Sequence, residues 1–482
     1  MTSPLVRTPI AIDRRKQVPL HRQIYDEWRR GILSGRFAAG DRMPSTRELA
    51  AALQVSRATV TAAYDQLVAE GYLDATRGSG TFVCEELPER DRWPDRPSAS
   101  RPSNAPARLS TFVARLAAVP SRAPATAGVI NLSSTGPDYD LFPFGVWGRL
   151  VRRHLRRLSP SLFRYAHDVA GYEPLRETVA SYLRRSRAVQ CLPQQVVIVS
   201  GSQQALDLCT RVLVDPGDEV VVEDPGYPGG RPLFAAAGAR LRPTTVDADG
   251  LVVSALPAEA RLAYVTPSHQ FPLGVSLSLA RRLELLAWTR ARRAFVIEDD
   301  YDSEFRYSGA PLPALQGLGD ASRVVYVGTF SNAMFPGLRI GYLVLPSALV
   351  EPFVRAKWYA DRQTAYLEQA ALVDFVREGH FEQHVRRMRR VYKSRREALL
   401  GALDHHFGGH VTVVGEPAGM HVVVRFDAPG MADRAKRSGV GLLSTGAYYA
   451  GDAAPNEFIL RFSGLGERAL REGVRRLSKP GG

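Results

Sequence analysis

The stretch VVYVGTFSNAMFPGLRIGY, residues 324–342, sets the pattern around which the larger part of the chain is organised. It begins as a β-branched apolar run at Val324, breaks into the small-residue loop 328–331, and continues after Arg339 into a second apolar run. Short apolar runs rich in β-branched residues favour buried strands. Hydroxyls and an arginine around a tight turn after a strand supply several hydrogen-bond donors and a fixed positive fork, which suit a phosphate group. The stretch therefore predicts two sheet strands with an anion site between them.

The length and composition are those of an ordinary globular protein. The chain has 482 residues, of which 45% are hydrophobic and 23% are charged. This is enough for one large α/β domain and a second, small one. The formal net charge of +14 and a pI near 9.9 favour an anionic partner, with nucleic acid the leading candidate.

Lysine is rare in this chain, and its positions matter for the chemistry. It occurs only at positions 16, 357, 393, 436 and 479, so none lies between 17 and 356. No lysine is therefore close in sequence to Asn332, which follows the loop of the quoted stretch. Only Lys357 and Lys393 are candidates that the fold could bring near it.

The cysteines and the N-terminus indicate a cellular compartment. Cys84, Cys191 and Cys209 are an odd number with no paired spacing, which is typical of a reducing environment. The N-terminus lacks the apolar core of a signal peptide, and no apolar run approaches membrane-spanning length. We expect a cytoplasmic protein, and we predict no metal site.

The N-terminal region predicts a winged helix-turn-helix. Apolar residues recur every four positions from Leu20 to Ile32, which indicates one buried helix face. Ser45 and Glu48 have the spacing of a capping box that starts a second helix. Ser56 caps a third helix, which ends near Gly71, and two short strands joined by the tip 77–80 follow it.

A helix of this kind enters the major groove with its N-terminal polar residues at base edges, while nearby basic residues contact phosphates or the minor groove. The alternative for Arg57 and Arg77 is a plain solvated face. The coincidence of capping box, spacing and basic wing favours DNA binding. The predicted DNA-binding residues are Ser45, Thr46, Arg47, Ser56, Arg57, Thr59, Thr61, Arg77, Gly78 and Gly80.

A change of composition predicts the domain boundaries. Residues 85–128 are rich in proline, arginine, serine and alanine, which favours an extended tether, with one short helix at 111–119. We expect a DNA-binding domain at 14–84 and a large domain at 129–478. In the large domain, apolar strands alternate with helical patterns, which predicts a mostly parallel sheet covered by helices.

Three strand ends of the large domain carry candidate ligand contacts. Strand 196–199 leads directly into a helix at Ser202, whose free N–H groups favour a phosphate. Strand 220–222 is followed by Tyr227, which either stacks on a flat ring or is an ordinary core or surface tyrosine. Strand 294–297 is followed by Asp299, which either pairs with a protonated ring nitrogen or, like its neighbour Asp300, caps the next helix.

These segments carry two resemblances. Residues 18–83 closely resemble the DNA-binding domain of GntR-family regulators. The whole chain resembles MocR-type regulators, in which a GntR winged helix is joined to a fold-type I pyridoxal phosphate (PLP) aminotransferase-like domain. The motifs that carry the second resemblance are GYEPLR at 171–176, SHQFP at 268–272, EDDYDSEF at 298–305 and LRF at 460–462.

The resemblance implies a PLP site. Tyr165 would come from a neighbouring subunit of a homodimer, and Arg461 and His269 would contact an effector through its carboxylate and nearby groups. Phe271 stands where true aminotransferases of this fold often have asparagine, and the regulators resemble this chain there. The implied cofactor residues are Ser202, Gln203, Tyr227, Asp299, Tyr301, Thr329, Ser331, Asn332, Arg339 and Tyr165.

Asn332 occupies the position of the lysine that forms the Schiff base with PLP in this family. An amide can neither form an imine nor shuttle protons as an amine does. We therefore expect no catalytic residue, PLP held non-covalently if it binds, and a regulator that senses an amino-acid-like compound or a PLP adduct. The alternatives are an aminotransferase with a DNA-binding attachment, and a regulator whose large domain is only a dimerisation scaffold.

Overall fold

The structure is a computed structural model, and it describes residues 10–76, 80–87, 108–117, 130–133, 136–156, 168–309, 312–319 and 321–479. Three predicted site residues, Arg77, Gly78 and Tyr165, lie outside the described residues, as do 88–107 and 118–129 of the predicted tether. The chain divides into two compact units, residues 1–108 and 109–482. The predicted domain bounds at 84 and 129 stay predictions.

The small unit has three helices and a two-stranded antiparallel wing. Its elements are α1 (Leu20–Leu33), α2 (Thr46–Leu53), α3 (Arg57–Ala69), β1 (Leu73–Thr76) and β2 (Gly80–Val83). The apolar face of α1 buries Ile24, Trp28 and Ile32 completely or almost completely, in the core shared with α2, α3 and the strands. The helical period predicted from the sequence therefore marks the real core face.

The two predicted caps of the small unit are present. The Glu48 backbone N–H donates to Ser45 Oγ at 3.2 Å, and the Ser45 N–H donates to Glu48 Oε2 at 2.8 Å, which completes the capping box. The Thr59 N–H donates to Ser56 Oγ at 3.1 Å at the start of α3. Each cap satisfies backbone donors that a helix start leaves free.

The large unit is built from eleven described helices and fourteen strands. The helices are α4 (Thr111–Ala117), α5 (Phe144–Arg156), α6 (Glu173–Arg187), α7 (Ser202–Leu213), α8 (Arg231–Ala237), α9 (Leu279–Arg292), α10 (Ser347–Ala360), α11 (Tyr366–Arg377), α12 (His380–Phe407), α13 (Met431–Arg437) and α14 (Glu467–Ser478). The strands are β3 (Ile130–Asn131), β4 (Val196–Val199), β5 (Glu219–Asp224), β6 (Arg240–Asp247), β7 (Gly250–Leu251), β8 (Ala260–Val265), β9 (Phe295–Asp300), β10 (Val324–Thr329), β11 (Gly341–Val344), β12 (Val411–Val414), β13 (His421–Phe426), β14 (Val440–Gly441), β15 (Leu443–Ser444) and β16 (Glu457–Arg461). No helix in the described ranges has the length and apolar character needed to cross a membrane.

The main sheet has eight strands in the order β4-β11-β10-β9-β8-β5-β6-β7. Strands β10, β9, β8, β5 and β6 run parallel, and β11 runs antiparallel between β10 and β4. All six residues of β10 are buried, as are all four of β4 and of β11. Strands buried on both faces read as continuous apolar runs, which is why the quoted stretch was informative.

A smaller antiparallel sheet has the order β12-β13-β16-β15, and β3 pairs with β14. Strand β16 carries Arg461 at its last position. The main sheet and this smaller sheet both contribute residues to the cavity of the large unit that is described below.

Two details of the large unit differ from the sequence prediction. Strand β9 extends to Asp300, so Asp299 and Asp300 lie within its end and do not cap a helix; Asp300 instead accepts a hydrogen bond from Arg187 Nε at 2.7 Å inside the core. Helix α4, described over Thr111–Ala117 of the predicted 111–119, contacts α8 of the large unit. This part of the predicted tether therefore belongs to the large unit and packs on its helix α8.

Candidate functional site

The start of α3 and the start of α2 are joined in the small unit. Arg57 Nε donates to Thr46 Oγ1 at 3.2 Å, and the hydroxyls of Ser56 and Thr59 are 2.8 Å apart. Arg57, Ser56 and Arg47 are exposed, whereas Thr46, Thr59 and Thr61 are partly buried. The predicted residues of the two helices thus form one polar, basic surface at the helix starts. Such a surface suits DNA.

Two further arginines of the small unit, Arg42 and Arg14, make contacts that the sequence did not predict. Arg42 pairs with Phe82 of the wing, and a Cβ placed on Gly80 would lie 3.1 Å from Arg42 Nε. Arg14 Nη2 donates to the carbonyl oxygens of Leu53 and Gln54, where α2 ends. Neither contact has a local sequence signal, because each joins residues about 40 positions apart.

The large unit contains a cavity of about 430 Å³ that collects residues from position 136 to position 461. Ten of the predicted residues line it: Ser202, Gln203, Tyr227, Asp299, Tyr301, Thr329, Ser331, Asn332, Arg339 and Arg461. The lining also includes Gly136, Tyr139, Phe271, Asp302, Pro336 and Met420. The structure therefore gathers in one place residues that the sequence separates by more than 200 positions.

One end of the cavity carries groups that can bind a phosphate. We define this phosphate end as Gly201, Ser202, Thr329, Ser331 and Arg339. Helix α7 begins at Ser202, directly after Gly201, whose φ of +84° favours glycine. The Thr329 hydroxyl donates to Ser331 Oγ at 3.0 Å. Helix-start N–H groups, two hydroxyls and a guanidinium are the donors that an anion with several oxygens requires.

Gly201 is also needed for space at this end. A Cβ there would lie 2.9–3.1 Å from the Arg339 guanidinium. Arg339 Nη2 donates to the Ser200 carbonyl at 2.5 Å, which fixes the guanidinium over the glycine. The close approach of backbone and guanidinium forms a cradle that a side chain at Gly201 would fill.

A polar layer lies behind the phosphate end. The Ser200 N–H donates to Gln204 Oε1 at 2.7 Å, and Gln204 Nε2 donates to Asp361 Oδ2 at 2.8 Å. Lys357 Nζ contacts the two Asp361 oxygens at 2.7 and 2.8 Å, and the lysine side chain is fully buried. Burial lowers the pKa of Lys357, and the Asp361 carboxylate partly offsets this. Lys357 thus supports the loop around Ser200 through Asp361.

No lysine lines the cavity. All five lysines of the chain belong to the part that the structure describes, and none is among the lining residues. Lys393, the second candidate to replace a lysine at position 332, is mostly exposed and lies 3.9 Å from Glu397. Neither Lys357 nor Lys393 therefore presents its amine to the cavity.

Asp299 lies on the wall of the cavity with one oxygen uncommitted. Its Oδ2 accepts a hydrogen bond from the Tyr264 hydroxyl at 2.7 Å, whereas its buried Oδ1 has no hydrogen-bond partner among the described residues. Burial raises the pKa of Asp299 to about 7, and the Tyr264 hydrogen bond opposes that rise. A protonated ring nitrogen would supply both the missing hydrogen bond and a compensating charge. The site therefore fits the pyridine ring of PLP.

Tyr301 is held by a buried pair behind the wall. The Tyr301 hydroxyl and His269 Nδ1 are 3.0 Å apart, and His269 Nδ1 lies 3.1 Å from both Asp302 oxygens. Asp302 lines the cavity, but His269 is buried behind Tyr301 and is absent from the lining. Burial raises the pKa of Tyr301 well above its ordinary value, so the phenol stays protonated. The structure thus gives His269 an orienting contact with Tyr301, and its contact with an effector stays a prediction.

Three aromatic side chains, Tyr227, Phe271 and Tyr301, lie on the wall of the cavity. The Phe271 ring centroid lies 5.6 Å from that of Tyr227 and 6.0 Å from that of Tyr301, with the ring planes nearly perpendicular in both pairs. Edge-to-face contacts of this kind are favourable and hold rings in place. An aromatic wall of this kind suits contact with a planar ligand ring.

The Asn332 side chain lines the same cavity. Its Nδ2 donates to the Tyr301 carbonyl at 2.9 Å. The amide is therefore fixed to the chain directly after strand β9, whose end carries Asp299. We call Asn332, the Tyr301 carbonyl and Asp302 the amide end.

Comparison with known proteins matches each of the two units to a family. Residues 20–83 match the bacterial regulatory protein gntR family, and residues 127–462 match aminotransferase class I and II. The chain is 40% identical to the probable rhizopine catabolism regulatory protein MocR of Rhizobium meliloti, over 97% of this chain and 95% of that protein. It is 30% identical to the pyridoxine biosynthesis transcriptional regulator PdxR of Corynebacterium glutamicum, over 97% of each.

Among solved structures, the kynurenine aminotransferase of Pyrococcus horikoshii, in complex with PMP, kynurenine and its product, superimposes with a TM-score of 0.68. The two chains are 31% identical, and the match covers 73% of this chain and 90% of the other. This confirms a fold-type I aminotransferase-like architecture for the large unit.

A winged helix-turn-helix joined to an aminotransferase-like domain defines a class of DNA-binding transcriptional regulator. The chain belongs to the MocR-type branch of the GntR regulators. The predictions of fold, family and regulatory function are confirmed.

Proposed function

We propose that the large unit senses a small phosphorylated ligand of the PLP type, without a covalent bond to the protein. The observation that carries the proposal is a cavity with a complete phosphate end, an uncommitted Asp299 oxygen and no lysine. PLP, when bound by a protein amine, supplies an electron-accepting ring for amine chemistry. In this chain the residues bind and orient such a ring, and no amine is present to react with it.

Each part of the ligand has a candidate partner. The phosphate would contact the start of α7, the hydroxyls of Thr329 and Ser331, and Arg339. Asp299 would hold the ring nitrogen, and Tyr227 would contact the ring face. Arg461 would bind a carboxylate if the ligand carries an amino acid, because a guanidinium binds a carboxylate through two parallel hydrogen bonds.

The same observations separate this function from two others. An aminotransferase needs an amine that forms a covalent bond with its cofactor, and removing such a group costs many orders of magnitude in rate. A pure dimerisation scaffold needs neither the Asp299 carboxylate on the cavity wall nor the Gly201–Arg339 cradle. We therefore infer a cytoplasmic pseudo-aminotransferase that regulates transcription.

Isothermal titration of the full-length protein tests the ligand. We expect one PLP-type ligand per chain, with pyridoxal or inorganic phosphate alone binding far more weakly, because ring and phosphate have separate partners. Absence of binding by every phosphorylated ring would support the scaffold. Conversion of an amino acid to its keto acid at a rate typical of aminotransferases would support the enzyme.

We propose that the small unit reads DNA as a homodimer, since one winged helix contacts only one half-site. Selection of bound sequences from a random DNA pool gives the preferred site. Arg57→Ala should relax the preference at one position of each half-site, and Arg47→Ala should weaken binding to all sequences and reduce the salt dependence. Unchanged selection with Arg57→Ala would contradict the role of α3.

A further inference from the structure

The orientation of the Asn332 amide is determined by its partner. The Tyr301 carbonyl can only accept a hydrogen bond, so the atom that contacts it at 2.9 Å must be the amide nitrogen. Asn332 Oδ1 then lies on the other branch of a planar amide. No hydrogen bond to this oxygen occurs among the residues that the structure describes, although the side chain lines the cavity.

The amide end includes two further hydrogen-bond acceptors, the Tyr301 carbonyl and the Asp302 carboxylate. The carbonyl that Asn332 contacts belongs to the peptide bond between Tyr301 and Asp302, and the Asp302 carboxylate lines the same cavity. The side chain of Asp302 is only 2% exposed, and its contacts are with His269. An amide oxygen and a buried carboxylate favour a ligand group that donates hydrogen bonds and carries positive charge.

The two common forms of the ligand differ in this respect. The aldehyde of PLP only accepts hydrogen bonds, whereas the primary amine of pyridoxamine 5′-phosphate donates them and is cationic when protonated. A lysine at position 332 would capture the aldehyde. The asparagine provides an acceptor for the amine.

We propose that the amide end selects the amine form of the ligand, pyridoxamine 5′-phosphate or a ring that already carries an amino compound, over the aldehyde form. The inference rests on the proposed function and extends it, since the regulator would then report how much of the ligand carries an amine. Asn332 is a specificity-determining residue in this account.

The test compares three ligands that differ at one carbon: pyridoxamine 5′-phosphate, PLP, and 4′-deoxypyridoxine 5′-phosphate, which has neither an amine nor an aldehyde. We expect the amine form to bind the full-length protein roughly 10- to 100-fold more tightly than the aldehyde, since hydrogen bonds to charged groups have this magnitude. The deoxy form should fall closer to the aldehyde. In Asn332→Ala this ratio should shrink several-fold, and in Asn332→Asp it should grow.

Other results would overturn the proposal. PLP that binds as tightly as the amine form, or a ratio left unchanged by both substitutions, contradicts the selection and leaves the proposed ligand site in place. If none of the three ligands binds, the proposed function fails, and the selection fails with it. Thermal melting of each variant separates lost affinity from lost folding, and Asn332→Asp, which keeps an oxygen acceptor but loses the hydrogen bond to the Tyr301 carbonyl, is a second variant beside Asn332→Ala.

Discussion

The phosphate end and the amide end of the same cavity have different chemistry. The phosphate end combines a helix start, two hydroxyls and a guanidinium over Gly201, as a phosphate site requires. At the amide end, Asn332 donates to the Tyr301 carbonyl, and none of the residues that line the cavity is a lysine. Under the proposed function, this difference separates recognition of a phosphorylated ring from its covalent capture. Such a protein can bind and release a signal without transforming it.

Restoring the amine is expected to give the largest effect. In Asn332→Lys, the lysine would stand beside an uncommitted ring site, so PLP should become covalently attached and remain after borohydride reduction. Desolvation at a cavity wall lowers the pKa of a lysine and favours its neutral, nucleophilic form. Mass spectrometry after reduction checks for one pyridoxyl group per chain. Gln383→Lys, which likewise replaces an amide by an amine but on an exposed face of α12, is the control and should gain no pyridoxyl group. Transaminase turnover should stay slight, because Phe271 and the rest of the cavity keep the character of a sensor.

The ring-nitrogen position between the two ends should be visible in the pH dependence of stability. Burial raises the pKa of Asp299 from 3.8 to about 7, so the folded state holds a proton that the unfolded state releases in this interval. The contribution of Asp299 to stability should therefore fall as pH rises from about 4 to about 7 and then level off. The full shift corresponds to at most about 4 kcal/mol, at 1.36 kcal/mol per pKa unit.

The substitution Asp299→Asn removes this cost. We expect its stability advantage in chemical denaturation to increase from pH 5 to pH 7 and to change little from pH 7 to pH 8. Burial also raises the pKa of Glu223 to about 7, and the charge on Asp299 adds to that rise, so the comparison includes a smaller change of the same sign from Glu223. An advantage that is the same at every pH would show that Asp299 does not titrate in this range.

Removing the guanidinium should weaken the phosphate end alone. Arg339→Ala should lower the affinity for pyridoxamine 5′-phosphate about 10- to 100-fold, from the loss of charge-assisted hydrogen bonds of roughly 1.5–3 kcal/mol. Its affinity for unphosphorylated pyridoxamine should hardly change. Titration calorimetry measures both ligands. Arg355→Ala, which removes an exposed arginine paired only with Glu351 on α10, serves as the matched control. An equal loss for both ligands would place Arg339 outside the phosphate contact.

The layer behind the phosphate end should give a smaller effect on binding. Lys357→Met leaves the Asp361 carboxylate without its buried partner and loosens the Gln204 contact to Ser200. We expect a several-fold loss of affinity for the phosphorylated ligand, a smaller loss for pyridoxamine, and a lower melting temperature. Lys393→Met removes a mostly exposed lysine and should change neither property. A lower melting temperature with an unchanged ratio of the two affinities would make the Lys357 pair structural only.

The sequence predicted the features that depend on local order. The capping box of Ser45 and Glu48, the Ser56 cap and the buried strand at Val324 each follow from residues within a few positions. Resemblance to a family then identified the ten lining residues, although no spacing rule connects Ser202 to Arg461. It also distinguished Asp299 on the cavity wall from Asp300, which is paired with Arg187 in the core.

The rest depends on side chains that meet only after folding. Asp302 on the cavity wall, the Lys357–Asp361–Gln204 layer and Arg42 beside Gly80 have no local signal, because their partners come from other elements. The end of β9 was predicted too early, since acidic residues are unfavourable in strands unless tertiary contacts satisfy them. The Arg187 contact to Asp300 and the Tyr264 contact to Asp299 provide that compensation.

We expect the unaltered protein to bind PLP without a covalent bond. The most direct measurement is the absorbance spectrum of the purified chain with PLP, followed by borohydride reduction, dialysis and peptide mass mapping. The account predicts the spectrum of the free aldehyde and its hydrate, loss of the ligand on dialysis, and no lysine that carries a stoichiometric pyridoxyl group. A reducible absorbance band with one pyridoxyl group per chain on Lys357, Lys393 or another single lysine would contradict it.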